Sequence, residues 1–406
     1  MQVRAVTGFV DPGWPLEPDR IQALATALKT CRRNLQDAGY EVQTLRLATP
    51  APLEMTNPVP VAERPDLARQ LEAECFVHGI DYAAIGPALP KELDAYEAVP
   101  AILEATENIF TSGIFADQAV GLSLQAARAC AAAIQANATI EPNGFGNLRF
   151  AALVNVPAGV PFFPAAYHRG GPAAIAIATE AADLPVRVLQ DATSLRGARR
   201  SLISAIETQA ATVAHNAESA AQEHNVRFLG IDFSFAPYPE KARSLGTALE
   251  TLGVPSVGGR GSAAAAAFLA DCLDRAEFSR VGFCGLFLPV FEDHVLAQRA
   301  SDGTLNLSEL LLYSTLCGTG LDTIPLPGDA SIEALTGVLI DLGAVGLRHA
   351  KPLTARLMPI PGKSAGDDVQ FDFPYFAPSR VMPLPDQGPR GLLAGDEWLD
   401  INPHNI

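Results

Sequence analysis

Four acidic residues lie directly beside apolar or glycine-rich stretches, where burying a charge is costly unless it is paired or used. Asp232 follows an apolar run, the neighbours Glu292 and Asp293 follow a second one, and Asp322 stands in a glycine loop. Burial and neighbouring charges shift carboxyl pKa values towards those that proton transfer needs. We therefore expect these four catalytic candidates to meet in one pocket. For the pair at 292–293, the alternative is a helix N-terminus, whose dipole favours acids.

Two further side chains are candidates for acid–base or nucleophilic chemistry. His168 stands between Tyr167 and Arg169 in an irregular stretch, which is typical of a catalytic or ligand-binding histidine. Cys317 ends a predicted apolar helix and precedes Gly318, so a ligand can approach it closely. A helix C-terminus does not lower a thiol pKa, and a buried structural cysteine is the alternative. For His168 the alternative is a hydrogen-bonded structural histidine.

The same loops carry side chains suited to holding a small molecule. Cations and amides would bind a polar or anionic metabolite, and glycines would let it approach the main chain. Asp232, Glu292 and Asp322 could also hold a divalent cation through oxygen ligands, while metal-free acid–base chemistry fits them equally. The expected ligand-binding residues are Asn147, Arg149, Ser234, Gly318, Gly320 and Lys363.

Composition argues against several classes of partner. The 406 residues carry 29 Lys and Arg against 45 Asp and Glu, a net charge of −16 that disfavours nucleic acid and anionic membranes. The six cysteines are scattered without a CxxC pair, as in a reducing compartment. No signal-peptide core and no apolar run of membrane-spanning length occur. A cytoplasmic protein with a small-molecule partner is expected, and so apolar a chain is compatible with a homodimer.

The elements that must position these residues begin with a β–α–β pattern. Strands at 3–10 and 42–49 flank a helix at 17–39, which predicts a parallel sheet with right-handed crossovers. A short strand is predicted near 82–85, and continuously apolar strands, typical of burial on both faces, at 149–156, 173–180, 227–234, 280–289 and 353–360. Further helices are predicted at 65–78, 90–105, 115–138, 194–223, 262–276, 293–301, 307–316 and 331–344.

Long motifs in this sequence resemble those of the family known as domain of unknown function 711 (DUF711) or uncharacterised protein family 0210. The resemblance covers essentially the whole chain and includes the late glycine-rich loop Met358-Pro-Ile-Pro-Gly-Lys-Ser-Ala-Gly-Asp367. The other matching runs are Gly144-Phe-Gly-Asn-Leu-Arg-Phe150, Pro161-Phe-Phe-Pro-Ala-Ala-Tyr-His168, Ile231-Asp-Phe-Ser-Phe-Ala-Pro-Tyr-Pro239, Gly285-Leu-Phe-Leu-Pro-Val-Phe-Glu-Asp293 and Cys317-Gly-Thr-Gly-Leu-Asp-Thr-Ile-Pro-Leu-Pro-Gly-Asp329.

The resemblance implies a fold similar to pyruvate formate-lyase, a ten-stranded α/β barrel of two parallel halves with helices outside. Residues 1–406 would form a single large domain, with N-terminal half-barrel elements at 1–140, a loop-rich half carrying the site at 141–370 and an extended tail at 371–406. Glycyl radical enzymes of that fold carry the radical on a late Arg-Val-x-Gly motif. The nearest string here is Arg380-Val-Met-Pro383, so no glycyl radical is expected.

Together these features predict a cytosolic enzyme that acts on a small polar or anionic metabolite, carboxylated or phosphorylated, as a hydrolase, lyase or isomerase. Its chemistry would be carboxylate-based acid–base catalysis or metal-assisted catalysis, without a glycyl radical. The alternative is a non-catalytic metabolite-binding or regulatory protein on an enzyme-derived barrel. The resemblance implies no particular reaction, so the substrate stays open at this point.

Overall fold

The structure, a computed structural model, describes residues 1–404, and the end of the predicted tail, residues 405–406, lies outside the described residues. Its strands are β1 (Gln2–Phe9), β2 (Val42–Ala48), β3 (Tyr82–Ala84), β4 (Ile109–Asp117), β5 (Gly121–Ser123), β6 (Phe150–Val154), β7 (Ala174–Glu180), β8 (Arg227–Asp232), β9 (Gly320–Pro327), β10 (Leu353–Ile360), β11 (Asp368–Val369), β12 (Ser379–Arg380) and β13 (Trp398–Leu399).

The first α-helix follows β1, and most of the later strands are likewise followed by helices along the chain. They are α1 (Pro18–Asp37), α2 (Arg64–His78), α3 (Asp94–Glu97), α4 (Val99–Glu104), α5 (Leu124–Asn137), α6 (Asp183–Gln190), α7 (Leu195–Glu223), α8 (Leu245–Thr251), α9 (Ser262–Arg275), α10 (His294–Ser301), α11 (Leu307–Ser314) and α12 (Ile332–Arg348). Within residues 1–404, none of the helices has the length and apolar character needed to cross a membrane.

Nine strands form one path through a large eleven-stranded sheet, in the order β8-β7-β1-β2-β3-β4-β6-β10-β9. Strands β1, β2, β3, β4 and β6 run parallel, as do β7 with β8 and β9 with β10. These groups meet at antiparallel junctions, β1 with β7 and β6 with β10. The predicted α/β class is confirmed, and the sheet is mixed rather than uniformly parallel.

The predicted strand at 280–289 does not form a regular strand. It makes isolated parallel bridges to Ile231 and Phe235, in and just after β8, and to Asp322 in β9. Gly282 and Cys284 take positive φ angles of 79° and 45°, which interrupt the ladder between the bridges. This segment therefore contacts both end strands of the path, β8 and β9.

The two faces of the sheet have different coverings. One face and the helices share the main hydrophobic core, to which β1 contributes Val3 and Val6. The opposite face packs against the irregular stretch at 157–171, whose apolar side chains meet small residues such as Ala5 of β1 and Ala151 of β6. Small side chains on the sheet leave room for this stretch, so the second face can enclose a ligand between sheet and loop.

Strands β4, β5 and β9 lie partly or wholly where the sequence predicts a helix or a loop. The region predicted as a helix at 115–138 includes the end of β4 and all of β5. Helix α5 starts only after Ser123, whose Oγ accepts a hydrogen bond from the N–H of Ala126 at 3.1 Å. Strand β9 lies within a predicted loop. It tolerates its prolines because it pairs with only one regular strand.

The remaining differences concern short elements. Helices α6 and α8 occur where no helix is predicted, and the region at 90–105 forms two short helices, α3 and α4. The tail predicted as extended carries β12 and β13, of which β13 pairs with β5. Short helices lack the several turns of periodicity that identify a helix from sequence.

Candidate functional site

A cavity of about 260 Å³ lies on the loop-covered face of the sheet. Its wall draws residues from β1, β2, β3, β4, β9 and β10, so side chains that are distant in sequence meet there. The polar part of the wall that is buried or partly buried includes Arg4, Gln43, Thr44, Arg46, Glu292, Asp322 and Arg356. Much of the rest is aromatic, formed by Tyr82, Phe110, Phe145, Phe162, Phe163, Phe287, Phe373 and Tyr375.

Alternation along the strands directs the arginines into this cavity. Leu45 and Leu47 of β2 belong to the helix-covered core, so Arg46 between them points to the opposite face. Val3 of β1 belongs to the same core, and the next residue, Arg4, likewise points away from it. A guanidinium placed inside the protein in this way needs a compensating partner, because desolvating a charge is costly.

Five charged side chains form a continuous network at the cavity. Glu292 accepts hydrogen bonds from Arg4 Nη2 at 2.6 Å and from Arg356 Nη2 at 2.7 Å. Asp322 accepts from Arg356 Nε at 2.6 Å, and Glu180 accepts from Arg4 Nη1 at 2.8 Å. Arg4 and Arg356 come from β1 and β10, which are not neighbours in the sheet order. Glu292 therefore joins two separate parts of the cavity wall.

Arg46 differs from these arginines. Its Nε donates to Thr44 Oγ1 at 2.8 Å, and its guanidinium lies 5.1 Å from the ring centre of Phe163 and 5.8 Å from that of Tyr82. Within residues 1–404, it has no carboxylate partner. Burial, reinforced by the nearby Arg4, lowers the pKa of Arg46 to about 10, so it is still protonated at neutral pH. A partly buried cation such as Arg46, which has no counter-ion among the described residues, favours an anionic ligand.

The two acids bonded to Arg356 have pKa values shifted in opposite directions. Burial, with the neighbouring Glu292, raises the pKa of Asp322 above its ordinary value. Burial acts on Glu292 too, but Arg356 and Arg4 outweigh it and hold the pKa of Glu292 below its ordinary value. Environments that separate two carboxyl pKa values also separate acid–base roles. Asp322 is therefore the acid–base candidate, and Glu292 is the permanent counter-ion of the arginines.

Arg149 also lines the cavity, as its predicted ligand-binding role requires, but its guanidinium is committed elsewhere. It donates to the main-chain oxygens of Leu103, Thr106 and Ile109 and to the carboxylate of Glu141. With these donors in use, Arg149 joins the turn before β6 to the region before β4. It contributes to the shape of the cavity rather than a free charge.

Asp232 and Ser234 lie outside the cavity wall and anchor the main chain. The carboxylate of Asp232 accepts hydrogen bonds from Ser234 Oγ at 2.6 Å and from the N–H groups of Phe283 at 2.7 Å and Cys284 at 2.8 Å. Ser234 Oγ in turn accepts from the N–H of Gly285 at 3.0 Å. Burial raises the pKa of Asp232 to about 6. These bonds fix the irregular segment at 280–289 to β8, which accounts for an acid in so apolar a stretch.

Asp293 caps two helices and does not line the cavity. Its carboxylate accepts hydrogen bonds at the start of α10, where it is the N-cap residue, and at the start of α8. The helix-terminus alternative therefore holds for Asp293, while its neighbour Glu292 points into the cavity. The donors are Ser244 Oγ (2.6 Å) and the N–H groups of Leu245 (2.6 Å), Gly246 (3.2 Å), Val295 (2.9 Å) and Leu296 (3.0 Å).

The predicted histidine and thiol also lie away from the cavity wall. His168 is buried beside Phe9, with ring centres 6.4 Å apart, and burial lowers its pKa. Cys317 is 1% exposed, and its main-chain oxygen accepts a hydrogen bond from Lys351 Nζ. Both residues fit the structural alternatives, because both are buried and neither lines the cavity.

The glycines after Cys317 let parts of the main chain approach each other. A Cβ added at Gly318 would lie 2.6 Å from Gly285 Cα. Gly320 takes a φ of 89°, and a Cβ there would lie 2.5 Å from the oxygen of Thr354. Neither glycine lines the cavity, so close packing of the main chain, rather than of a ligand, explains this glycine-rich loop.

Asn147 and Lys363 likewise lie outside the cavity wall. Asn147 is fully buried and donates from Nδ2 to the main-chain oxygen of Ile134 at 2.9 Å, which ties its turn to α5. Lys363 joins a turn through its main chain, accepting from Gly328 N at 3.0 Å and donating to Ile360 O at 3.1 Å. Their surroundings indicate structural rather than ligand-binding roles.

The three carboxylates expected to hold a metal ion are not brought together. Asp232 is engaged by the main chain at 283–284, whereas Glu292 and Asp322 are both bonded to Arg356. Across residues 1–404, no cluster of three or more His, Cys, Asp or Glu side chains is arranged to hold a metal ion. An arginine at the position that a cation would need makes this donor set unsuitable for one.

Sequence reasoning named Arg149 but missed three other arginines of the cavity, although a signal for them exists. Arg4, Arg46 and Arg356 interrupt the apolar runs QVRAV, LRLA and TARLM. The rule that selects Asp232, that a charge in a buried strand must be paired or used, applies equally to them. The aromatic wall carries no comparable signal, since aromatic residues are common in ordinary cores.

Comparison with known proteins places this geometry in a family context. The family model "Uncharacterised ACR (DUF711)" matches residues 1–375, a range that ends within the aromatic wall at Tyr375. A UPF0210 protein of Pyrobaculum islandicum is 32% identical over 395 residues, covering 90% of this chain and 87% of that protein. A UPF0210 protein of Methanopyrus kandleri is 30% identical, with 75% and 70% covered, and one of Neisseria meningitidis is 27% identical, with 77% and 71% covered.

Proposed function

The chain belongs to the uncharacterised DUF711 family, and we propose that it is an enzyme acting on a small organic anion held by Arg46. One observation carries the proposal: Arg46 is a partly buried cation of the cavity without a carboxylate partner in the described part of the chain. Around the cavity, the guanidinium groups of Arg4, Arg46, Arg243 and Arg356 meet three carboxylates, those of Glu180, Glu292 and Asp322. An anionic ligand would balance the remaining positive charge.

Proton transfer at the bound anion would fall to Asp322. Its carboxyl is buried, has a raised pKa and is oriented by Arg356 Nε at 2.6 Å. A carboxyl of this kind can give or take a proton in a lyase, isomerase or hydrolase step. Glu292 would stay ionised and hold Arg356 in position, and no metal ion is needed for this chemistry.

We also propose that the sheet closes into a ten-stranded barrel similar to that of pyruvate formate-lyase. The nine strands of the path together with the segment at 280–289 make ten, and the bridges of this segment to β8 and β9 support closure. The cavity would then lie inside the barrel. Exclusion of water there would strengthen the interaction between Arg46 and its ligand.

Calorimetric titration tests the anion site with four probes: acetate, succinate, benzoate and inorganic phosphate. We expect at least one probe to bind the wild-type protein and to lose about tenfold or more in affinity with Arg46→Met, which keeps the aliphatic stem and removes the charge. Arg33→Met, at an exposed arginine outside the cavity, is the matched control and should bind normally. Equal binding by Arg46→Met and the control would refute the anion site.

Turnover is tested separately, with the probes that bind. Those among them that carry hydrogen on the carbon beside the carboxylate, acetate and succinate, are incubated with the protein in deuterated water and followed by mass spectrometry for deuterium uptake or conversion. We expect wild-type protein to exchange or convert a ligand and Asp322→Asn to lose this activity by more than about a hundredfold. Tight binding without exchange or conversion would instead favour the non-catalytic metabolite-binding protein.

A further inference from the structure

The aromatic part of the cavity wall converges on the guanidinium of Arg46. The rings of Phe163 and Tyr82 flank it at 5.1 and 5.8 Å. The ring of Phe110 lies 5.3 Å from that of Phe163 and 5.5 Å from that of Tyr82, so these three form one cluster. An anion bound to Arg46 therefore places the rest of its molecule against aromatic rings.

The donors left on Arg46 suit a carboxylate. Its Nε is bonded to Thr44 Oγ1, so Nη1 and Nη2 remain for a ligand. Two adjacent N–H groups of a guanidinium match the two oxygens of a carboxylate. Within residues 1–404 Arg46 is the arginine of the cavity wall whose guanidinium has no acidic partner, since Arg4 and Arg356 are bonded to Glu292 and Arg149 is bonded to Glu141.

The same count of charges indicates a monoanion. One unmatched guanidinium balances one negative charge, whereas a phosphate ester carries about 1.5 to 2 negative charges near neutral pH. A second phosphate charge would face Glu292, whose carboxylate the arginines keep ionised. Repulsion from this carboxylate would therefore disfavour phosphorylated ligands relative to carboxylates of the same size.

The size and shape of the cavity restrict the ligand further. Its volume of about 260 Å³ is below the range of about 300–1,000 Å³ that is common for small-molecule sites. Phe162 and Phe287 add a second pair of rings to the wall, 4.4 Å apart. Flat rings make offset and edge-to-face contacts with such walls that a puckered aliphatic ring cannot make.

We infer that the ligand of this site is a flat monocarboxylate, aromatic or conjugated, of about the size of one ring. The inference rests on the proposed anion site at Arg46 and adds the charge and shape of the molecule that this site takes. The carboxylate of this ligand would bind Arg46, and its ring would lie among Phe163, Tyr82 and Phe110.

Four probes of similar size separate charge from shape in calorimetric titrations of the wild-type protein at pH 7. Benzoate should bind roughly three- to tenfold tighter than cyclohexanecarboxylate, which has the same carboxylate on a puckered ring. Benzoate should also bind tighter than phenyl phosphate, a dianion, and than benzamide, a neutral analogue. Equal or tighter binding of cyclohexanecarboxylate or of phenyl phosphate would overturn the inference and leave the anion site standing. Binding of none of the carboxylates would overturn both.

Variants locate the effect within the cavity. Phe163→Leu should reduce the preference for benzoate over cyclohexanecarboxylate to less than about twofold while both still bind, because one aromatic contact is lost. Phe278→Leu, at a ring outside the cavity wall, is the matched control and should keep the wild-type preference. An unchanged preference in Phe163→Leu would contradict the assigned position of the ring. The wild-type comparison remains decisive if this variant does not fold.

Discussion

At the scale of single residues, the charges of the cavity depend on one another. Arg356 divides its guanidinium between Glu292 and Asp322, and Arg4 divides its own between Glu292 and Glu180. The free-energy cost of burying one ion is offset only while its partners are present. Removing one member of the network therefore leaves its partner as an uncompensated charge in apolar surroundings. This interdependence keeps the side chains in one arrangement and, within residues 1–404, leaves Arg46 as the cavity arginine without an acidic partner.

Replacing Glu292 tests this dependence. Glu292→Gln keeps the shape of the side chain and removes the charge shared by Arg4 and Arg356, so we expect the free energy of unfolding to fall by about 3 kcal/mol in urea titrations at pH 7. Glu218→Gln, on the exposed face of α7, should change it by less than about 0.5 kcal/mol. A Glu292→Gln protein as stable as the control would show that the network contributes no net stability.

The titration of Asp322 should control anion affinity. Its pKa is raised by burial and by Glu292, so its carboxyl loses its proton at a pH above the ordinary range for aspartate. Deprotonation adds a negative charge near the ligand, and the affinity for benzoate should therefore fall as pH rises above the range in which an ordinary aspartate titrates. Asp322→Asn should bind benzoate with little pH dependence above that range. An equally steep decrease in the variant would assign the effect to another group.

At the scale of elements, buried carboxylates act as joints between segments that are far apart in sequence. Asp293 links the starts of α8 and α10, and Asp232 links β8 to the irregular segment at 280–289. Main-chain N–H groups at helix starts and tight turns have no partner of their own, so one carboxylate can satisfy several of them. Such joints resemble catalytic acids in sequence, because both are acids in apolar surroundings.

Removing the double cap should cost more than removing a single one. We expect Asp293→Ala to lower the free energy of unfolding by about 2–4 kcal/mol, since it leaves the first N–H groups of two helices unpaired. Asn306→Ala, which removes the cap of α11 alone, should cost about 1 kcal/mol. Thermal and urea denaturation of both variants measure the difference. Equal losses would show that one of the two contacts of Asp293 contributes little.

At the scale of the whole molecule, the contact between Gly285 and Gly318 brings the segment at 280–289 against the chain that enters β9. Each glycine occupies the space that a Cβ on the other would need, at 2.4 and 2.6 Å from the nearest Cα. The Asp232 joint holds the other side of the same segment to β8. The proposed closure of the sheet therefore depends on a few small or buried residues rather than on a regular ladder.

A methyl group at this contact should loosen the closure. Gly318→Ala places a Cβ against main-chain atoms that cannot move aside, and we expect a loss of about 1–3 kcal/mol in the free energy of unfolding, with faster hydrogen exchange at 280–289. Gly337→Ala, in α12, where the nearest atom to an added Cβ lies 3.5 Å away, is the matched control and should be neutral or stabilising by up to about 1 kcal/mol. Wild-type exchange in Gly318→Ala would count against closure at this point.

The sequence by itself determined the α/β class and the strands β1, β2, β3 and β10 next to the cavity, because the alternation and apolar runs that form them are local properties of the chain. It also identified Glu292 and Asp322, since an acid beside an apolar run must be compensated. The same rule selected Asp232 and Asp293, because the compensating partner, not the acid, separates an anchor from a site residue. Strand β9, with its prolines, lacked a clear local pattern, whereas the apolar run at 280–289 predicted a regular strand that the positive φ angles of Gly282 and Cys284 interrupt.

Only the tertiary structure decided which charges meet. Arg4, Arg46 and Arg356 lie on β1, β2 and β10, and their pairing with Glu292 and Asp322 depends on strand order and on the face to which each side chain points. That Arg46 is left without a carboxylate within residues 1–404 follows from the sum of these contacts. No local pattern encodes such a balance of charge, because it arises between segments brought together only by folding.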